Sequence, residues 1–171
     1  MNTLNDILSK EIEEFREKGH KFLNKEMTVG EFKKASGGMG VYAHRGGKEF
    51  MVRLRVPSGV AGLSLLEEAY NWAKKYNLEK IHLTTREAIQ LHGISIDAVC
   101  DIMQEGLTKG IYTRGGGGNF PRNVALNPLS GVQIGETFDV TPYALAANAH
   151  YMSKIYTYNL PRKIKTAFSN T

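Results

Sequence analysis

Thiols are almost absent: of 171 residues only Cys100 is a cysteine. One cysteine forms no internal disulfide and no thiolate cluster, so neither a disulfide scaffold nor a cysteine-held metal is encoded here. No apolar run approaches the length of a membrane span, and the opening "MNTLNDILSK" lacks the apolar core of a signal peptide. A soluble, cytoplasmic protein without membrane partners is expected. The glycine-rich stretch "RGGGGNF" is not followed by G-K-[ST], which excludes a P-loop. The five histidines show no metal-ligand spacing, and no Ser/His/Asp grouping reads as a triad. No segment repeats within the chain. Charge of one sign is only mildly in excess: 22 Lys and Arg against 17 Asp and Glu leave +5, favouring an anionic partner. Hydrophobic residues, at 42%, suffice to bury a core.

What is present falls into three stretches: 1–35, 36–110 and 111–171. In the first, Leu4, Ile7, Leu8, Ile12 and Phe15 form a helical stripe, with Gly19 expected as its stop. Thr28 and Glu31 make a capping box for a second helix, and "ASGGMG" predicts a break near residue 36. In the second stretch, Val52, Leu54 and Val56 alternate with Arg53 and Arg55, the pattern of a half-buried strand. A helix follows, with Ser64 and Glu67 as capping box and Leu65, Leu66, Ala69, Trp72, Ala73 and Tyr76 as its apolar stripe. Two strands come next, Ile81 and Leu83 on one and Ile89 and Leu91 on the other, turning at Arg86-Glu87. A helix capped by Ser95 and ended by Gly106 closes the unit, with Cys100 on its buried stripe. The order β-α-β-β-α defines an α+β, ferredoxin-like half domain. The third stretch is loop-rich, then predicts a helix capped by Thr141 with Pro142 in its first turn, and a strand beginning after Pro161.

If the apolar sides of these strands meet the helices, the opposite face carries Arg53, Arg55, His82, Thr84, Arg86, Gln90 and His92, with only Glu87 opposing them. Guanidinium forks match carboxylates and small oxyanions in pairs of hydrogen bonds. The pattern also fits a plain solvated face. An RNA-binding sheet needs aromatics at the exposed strand positions, which here are Arg, His, Thr and Gln, so no nucleic acid is expected. Between Arg114 and Arg122, a glycine run allows close backbone approach to an anion, or serves as a flexible loop.

Four segments, taken in order, resemble the sirohaem-dependent sulfite and nitrite reductases. They are "MVRLRVPSGV", "IHLTTREAIQLHG", "RGGGGNFPRNVALNPLSGV" and "LPRKIKTAFSN", within residues 40–171. The resemblance implies a ferredoxin-like half domain, N-terminal helices before it, and the beginning of a second α+β domain that carries sirohaem and a 4Fe–4S cluster in the parent enzyme. It implies that Arg55, Thr84, Arg86, Gln90 and His92, with Arg114 and Asn123, bind sirohaem. Arg53, Arg122, Lys163 and Lys165 are implied to surround the substrate anion, sulfite or nitrite. Electrons would come from ferredoxin or a flavoprotein. The family's cluster cysteines, in C-x5-C and C-x3-C motifs, and its second ferredoxin-like half have no counterpart here. The chain is therefore expected to be an N-terminal portion, inactive alone and prone to form a homodimer that mimics the missing half. A standalone tetrapyrrole- or anion-binding module and a nucleic-acid-binding domain are the alternatives.

Overall fold

The computed structural model describes residues 3–161 and 164–170. Helix α1 runs Leu4–Leu23 from a reciprocal cap: Thr3 Oγ1 accepts from the Asp6 N–H, and the Asp6 carboxylate accepts from the Thr3 N–H at 2.8 Å. Leu8, Ile12 and Phe15 are buried as the stripe predicted. Gly19 does not end the helix. It lies buried inside it, where a Cβ would run into the Ile96 side chain. The glycine lets two helices touch, and that packing offsets its poor helix propensity.

Helix α2, Val29–Met39, begins at the Thr28–Glu31 capping box. It runs straight through Ser36-Gly37-Gly38, where the glycines predicted a break, and ends at Gly40 in the left-handed region, φ 79°. Those small residues are buried under the later glycine run, so contact rather than chain flexibility explains them.

Four antiparallel strands follow: β1 (Val41–Ala43), β2 (Phe50–Arg55), β3 (Ile81–Leu83) and β4 (Ala88–Ile94), in spatial order β1-β2-β4-β3. With α3 (Leu63–Lys75) and α4 (Ile96–Thr108), the order β2-α3-β3-β4-α4 is the expected ferredoxin-like half. The short β1, which alternation did not reveal, takes the fourth place beside β2. Helix α3 starts at Gly62 without a side-chain cap, so the Ser64–Glu67 box is not formed. Ser95 does cap α4, accepting from Ala98 N–H at 3.2 Å. That helix passes through Gly106, which packs against the Ile111 carbonyl, and stops at Thr108. Val52, Leu54, Ile89 and Leu91 from the sheet meet Trp72, Val99 and Ile102 in one core, all 2% exposed or less.

Beyond α4, β5 (Ala125–Leu126) and β6 (Ala167–Phe168) pair in parallel beside α5 (Thr141–Ser153). Thr141 sits inside α5; the capping acceptor is Asp139, whose Oδ1 receives the Thr141 N–H at 2.8 Å. The last strand begins later than its sequence predicted, at Ala167, so Lys165 precedes it. Lys163 lies outside the described residues.

Candidate anion-binding cleft

The register of β2, β4 and β3 sets Arg53, Gln90 and His82 in one row, and Arg55 opposite Ala88 in the next. Strand pleating puts these rows on the face away from the helices. A bulge between Phe50 and Met51, opposite Gly93 with φ 76°, brings Met51 opposite His92 on that face. Against it rests the glycine run, and between them lies a cleft of about 240 Å³. Arg53, Arg55, Arg86, Arg122 and Lys165 line it, with Asn123, Ala88 and Gly116. Ala88, which has only a methyl to offer opposite Arg55, leaves the opening.

These cations are held in different ways. Arg53 Nη1 donates to the Gly116 carbonyl at 2.8 Å, and Arg122 Nη1 donates to the same oxygen at 2.6 Å. A single carbonyl thus draws two guanidinium groups together. Burial pushes Arg53 below the usual arginine value; Tyr42 opposes that shift and Arg122 adds to it. Gln90 completes the setting of Arg53: with its amide oxygen facing the guanidinium, it accepts from Nη2 at 2.6 Å and Nε at 3.0 Å.

Arg55 is 3% exposed and is a staple. Its Nη1 donates to the carbonyls of Pro121 (3.1 Å) and Arg114 (3.4 Å), and its Nη2 to Arg122 O and Asn148 Oδ1, both 3.3 Å. Burial lowers it to about 10, with Arg122 contributing. Arg86 Nη2 donates to Asn123 O at 2.8 Å. Asn123 Nδ2 in turn donates to Val56 O (2.7 Å), Glu87 O (2.9 Å) and Arg86 O (3.3 Å), tying the loop to the strand ends. Thr84 closes the β3–β4 turn, its Oγ1 accepting from Arg86 and Ala88 N–H groups.

Glu87 does not neutralise the cleft. Its carboxylate accepts from Leu126 N–H at 3.1 and 3.2 Å, and burial raises it, while that hydrogen bond and Arg86 pull it down. Arg53, Arg55, Arg86 and Arg122 pair with no carboxylate among the described residues. Arg55 Nε and Arg86 Nε are buried with no partner among the described residues and are closed to solvent. The N–H groups that Arg53 and Arg122 do not give to Gly116, Gly118 and Gln90 are the donor capacity left for an acceptor ligand. The volume suits a small oxyanion or one carboxylate arm, not a macrocycle.

The structure therefore gathers Arg53, Arg55, Arg86, Arg122, Asn123 and Lys165 at one cleft, with Gln90, His92 and Thr84 behind it. Arg114 is not there. It forms a paired contact with Glu11 of α1 (2.7 and 3.3 Å) and lies 4.1 Å from the Phe120 ring centre. The Gly116 carbonyl was not foreseen as a functional group; the glycine run marked the place but not the role.

Residues 42–107 match the family model for the nitrite/sulfite reductase ferredoxin-like half domain, and residues 117–171 match that for the nitrite and sulphite reductase 4Fe-4S domain. The chain belongs to the nitrite and sulfite reductase family. It is 29% identical over 124 residues to a ferredoxin–nitrite reductase of Synechococcus elongatus, covering 69% of this chain and 24% of that protein. It is also 29% identical over 122 residues to a ferredoxin sulfite reductase of Mycobacterium tuberculosis, covering 71% and 22%. The chain thus spans about a quarter or less of these curated relatives' length. The structure of Mycobacterium tuberculosis NirA superposes with a TM-score of 0.74 at 22% identity, over 99% of this chain and 35% of that one, a likeness of fold.

Proposed function

We propose that this chain supplies the anion-holding cleft of a sirohaem-dependent sulfite or nitrite reductase. The observation that carries the reading is a cleft of about 240 Å³ lined by four arginines and Lys165, with N–H groups of Arg53 and Arg122 not given to the protein. In this reading residues 1–35 brace the half domain at 36–110, and 111–171 begin the catalytic domain.

Arg53, Arg122 and Lys165 hold the substrate oxyanion, together with Lys163. Arg86 takes a carboxylate of the tetrapyrrole, while Arg55, Thr84, Gln90, His92 and Asn123 hold these groups in place. Sirohaem with its 4Fe–4S cluster supplies, when bound, the electrons for multi-electron reduction to sulfide or ammonia. The guanidinium groups offset charge on the anion and polarise its oxygens. They keep their protons, so the Lys165 ammonium is the group suited to protonate an oxygen leaving as water. Cys100 takes no part: it is fully buried in the helix layer, and burial pushes its thiol up to about 12. A ferredoxin is the proposed donor, as the names of the relatives indicate, and the cytoplasm the proposed location. A homodimer through the exposed Val132, Ile134 and Phe138 completes the proposal; sedimentation as a monomer at all concentrations would count against that part.

The test is titration of the chain with sulfite and with nitrite at low ionic strength, followed by NMR or calorimetry. Saturable binding that weakens at least tenfold in Arg53→Ala or Arg122→Ala supports the reading. Equal binding by wild type and both variants overturns it.

A further inference from the structure

Hydrogen bonding behind Arg53 does not stop at Gln90. Because Gln90 turns its oxygen to the guanidinium, its NH₂ faces His92 Nε2, 3.2 Å away. That nitrogen must accept, so neutral His92 carries its proton on Nδ1. Among the described residues the hydrogen-bonding neighbour of Nδ1 is His44 Nε2, at 3.2 Å, which accepts in turn. The His44 proton is left on Nδ1, on the side of Glu49 Oε2 at 3.7 Å. Each orientation dictates the next, from the cleft outward to the β1–β2 hairpin that carries His44 and Glu49.

We propose that His44 is a positioning residue for the anion cleft, acting through His92 and Gln90 to fix the Arg53 guanidinium. This rests on the reading of Arg53 as an anion-binding group. Both ring nitrogens of His92 are engaged within the chain, so His92 serves as a link and not as a direct ligand. An amide conducts protons poorly, which makes the chain an orienting device rather than a proton path. It has one weak point. A second proton on His92 would point Nε2–H at the Gln90 NH₂, and the amide would have to turn away from Arg53.

Several groups keep that proton off near neutral pH. Burial lowers His92 most, and His44, His82, Lys80 and Arg53 lower it further. Glu49 and Glu79, in the same hollow of about 350 Å³ beside His92, are the acidic groups set against them.

The test uses the full chain labelled with ¹⁵N on histidine and arginine. His92 should appear as the Nδ1–H tautomer, and Arg53 Nε–H should exchange slowly. His44→Phe should leave His92 in mixed tautomers, speed Arg53 Nε–H exchange, and weaken sulfite binding about five- to tenfold. His44→Gln, which keeps an acceptor, should restore most of each effect and guards against simple misfolding of the Phe variant. Acidification below the His92 transition should lower the protection of Arg53 Nε–H in wild type, its exchange being compared with that of a free guanidinium at the same pH. An Nε2–H tautomer in wild type, or unchanged Arg53 exchange in His44→Phe, overturns the proposal. If sulfite fails to bind the unaltered chain, the anion reading falls, and the tautomer and exchange measurements still decide the role of His44.

Discussion

Arg53 and Arg55 stand two residues apart on one strand face and do opposite work. Arg55 gives its donors to three loop carbonyls and Asn148. Removing it leaves several buried acceptors unpaired, so Arg55→Met should lower unfolding free energy by about 3 kcal/mol in urea denaturation. Arg53→Met should change stability by less than about 1 kcal/mol and abolish sulfite binding. Reversal of these two outcomes would falsify the division of roles. Alternation put both side chains on the correct face. It could not tell the staple from the ligand-facing group, because that depends on a loop some sixty residues away in sequence. Cys100 offers a second test at this scale. With its thiol buried and pushed up to about 12, it should resist disulfide reagents at pH 8 and react fully in urea.

Among the elements, α2 and the glycine run are the closest fitted. Gly38 O accepts from Gly115 N–H at 2.8 Å, and a Cβ on Gly117 would overlap the Gly37 carbonyl and the Tyr42 hydroxyl. Gly117→Ala should cost about 1–3 kcal/mol and loosen the neighbouring Gly116 carbonyl that joins Arg53 to Arg122. Gly30, in the same helix, has open space around its Cβ position. Gly30→Ala should add about 0.5–1 kcal/mol, seen as a higher melting temperature. Both helix caps are acid-sensitive. Hydrogen bonds from Thr3 and Thr28 hold the Asp6 and Glu31 carboxyls below their ordinary values of 3.8 and 4.5. Their contribution is complete above those values and is lost as pH falls below them. The midpoint of unfolding should fall between pH 5 and pH 3 (roughly the span of carboxylate titration) and fall less in Glu31→Gln. The capping boxes at Thr28 and the periodic helices were legible because they rest on neighbours in sequence. Gly19, Ser36, Gly37 and Gly38 misled as breaks because a small residue marks a tight crossing as readily as a chain turn. β1 escaped notice because three residues cannot display alternation.

At the scale of the molecule, the sheet supplies one wall of the cleft and the segment after α4 supplies the other. The single cysteine, buried under the sheet, provides no cluster ligands, so the chain by itself should show no sulfite or nitrite reduction driven by reduced methyl viologen. Steady turnover without a second polypeptide would sink that expectation. The cleft's two walls also differ in when they can form. The four strands pair among themselves within the span from Val41 to Ile94, whereas the loop carbonyls that receive Arg55 come from residues 114, 121 and 122. Until that loop arrives, the Arg55 guanidinium remains hydrated and the cleft has only one side. Docking of the loop is then the late event in folding and its release the early event in unfolding. An anion bridging the two walls can only form its contacts after that step, so it acts as a latch: it slows opening and leaves the rate of closing unchanged.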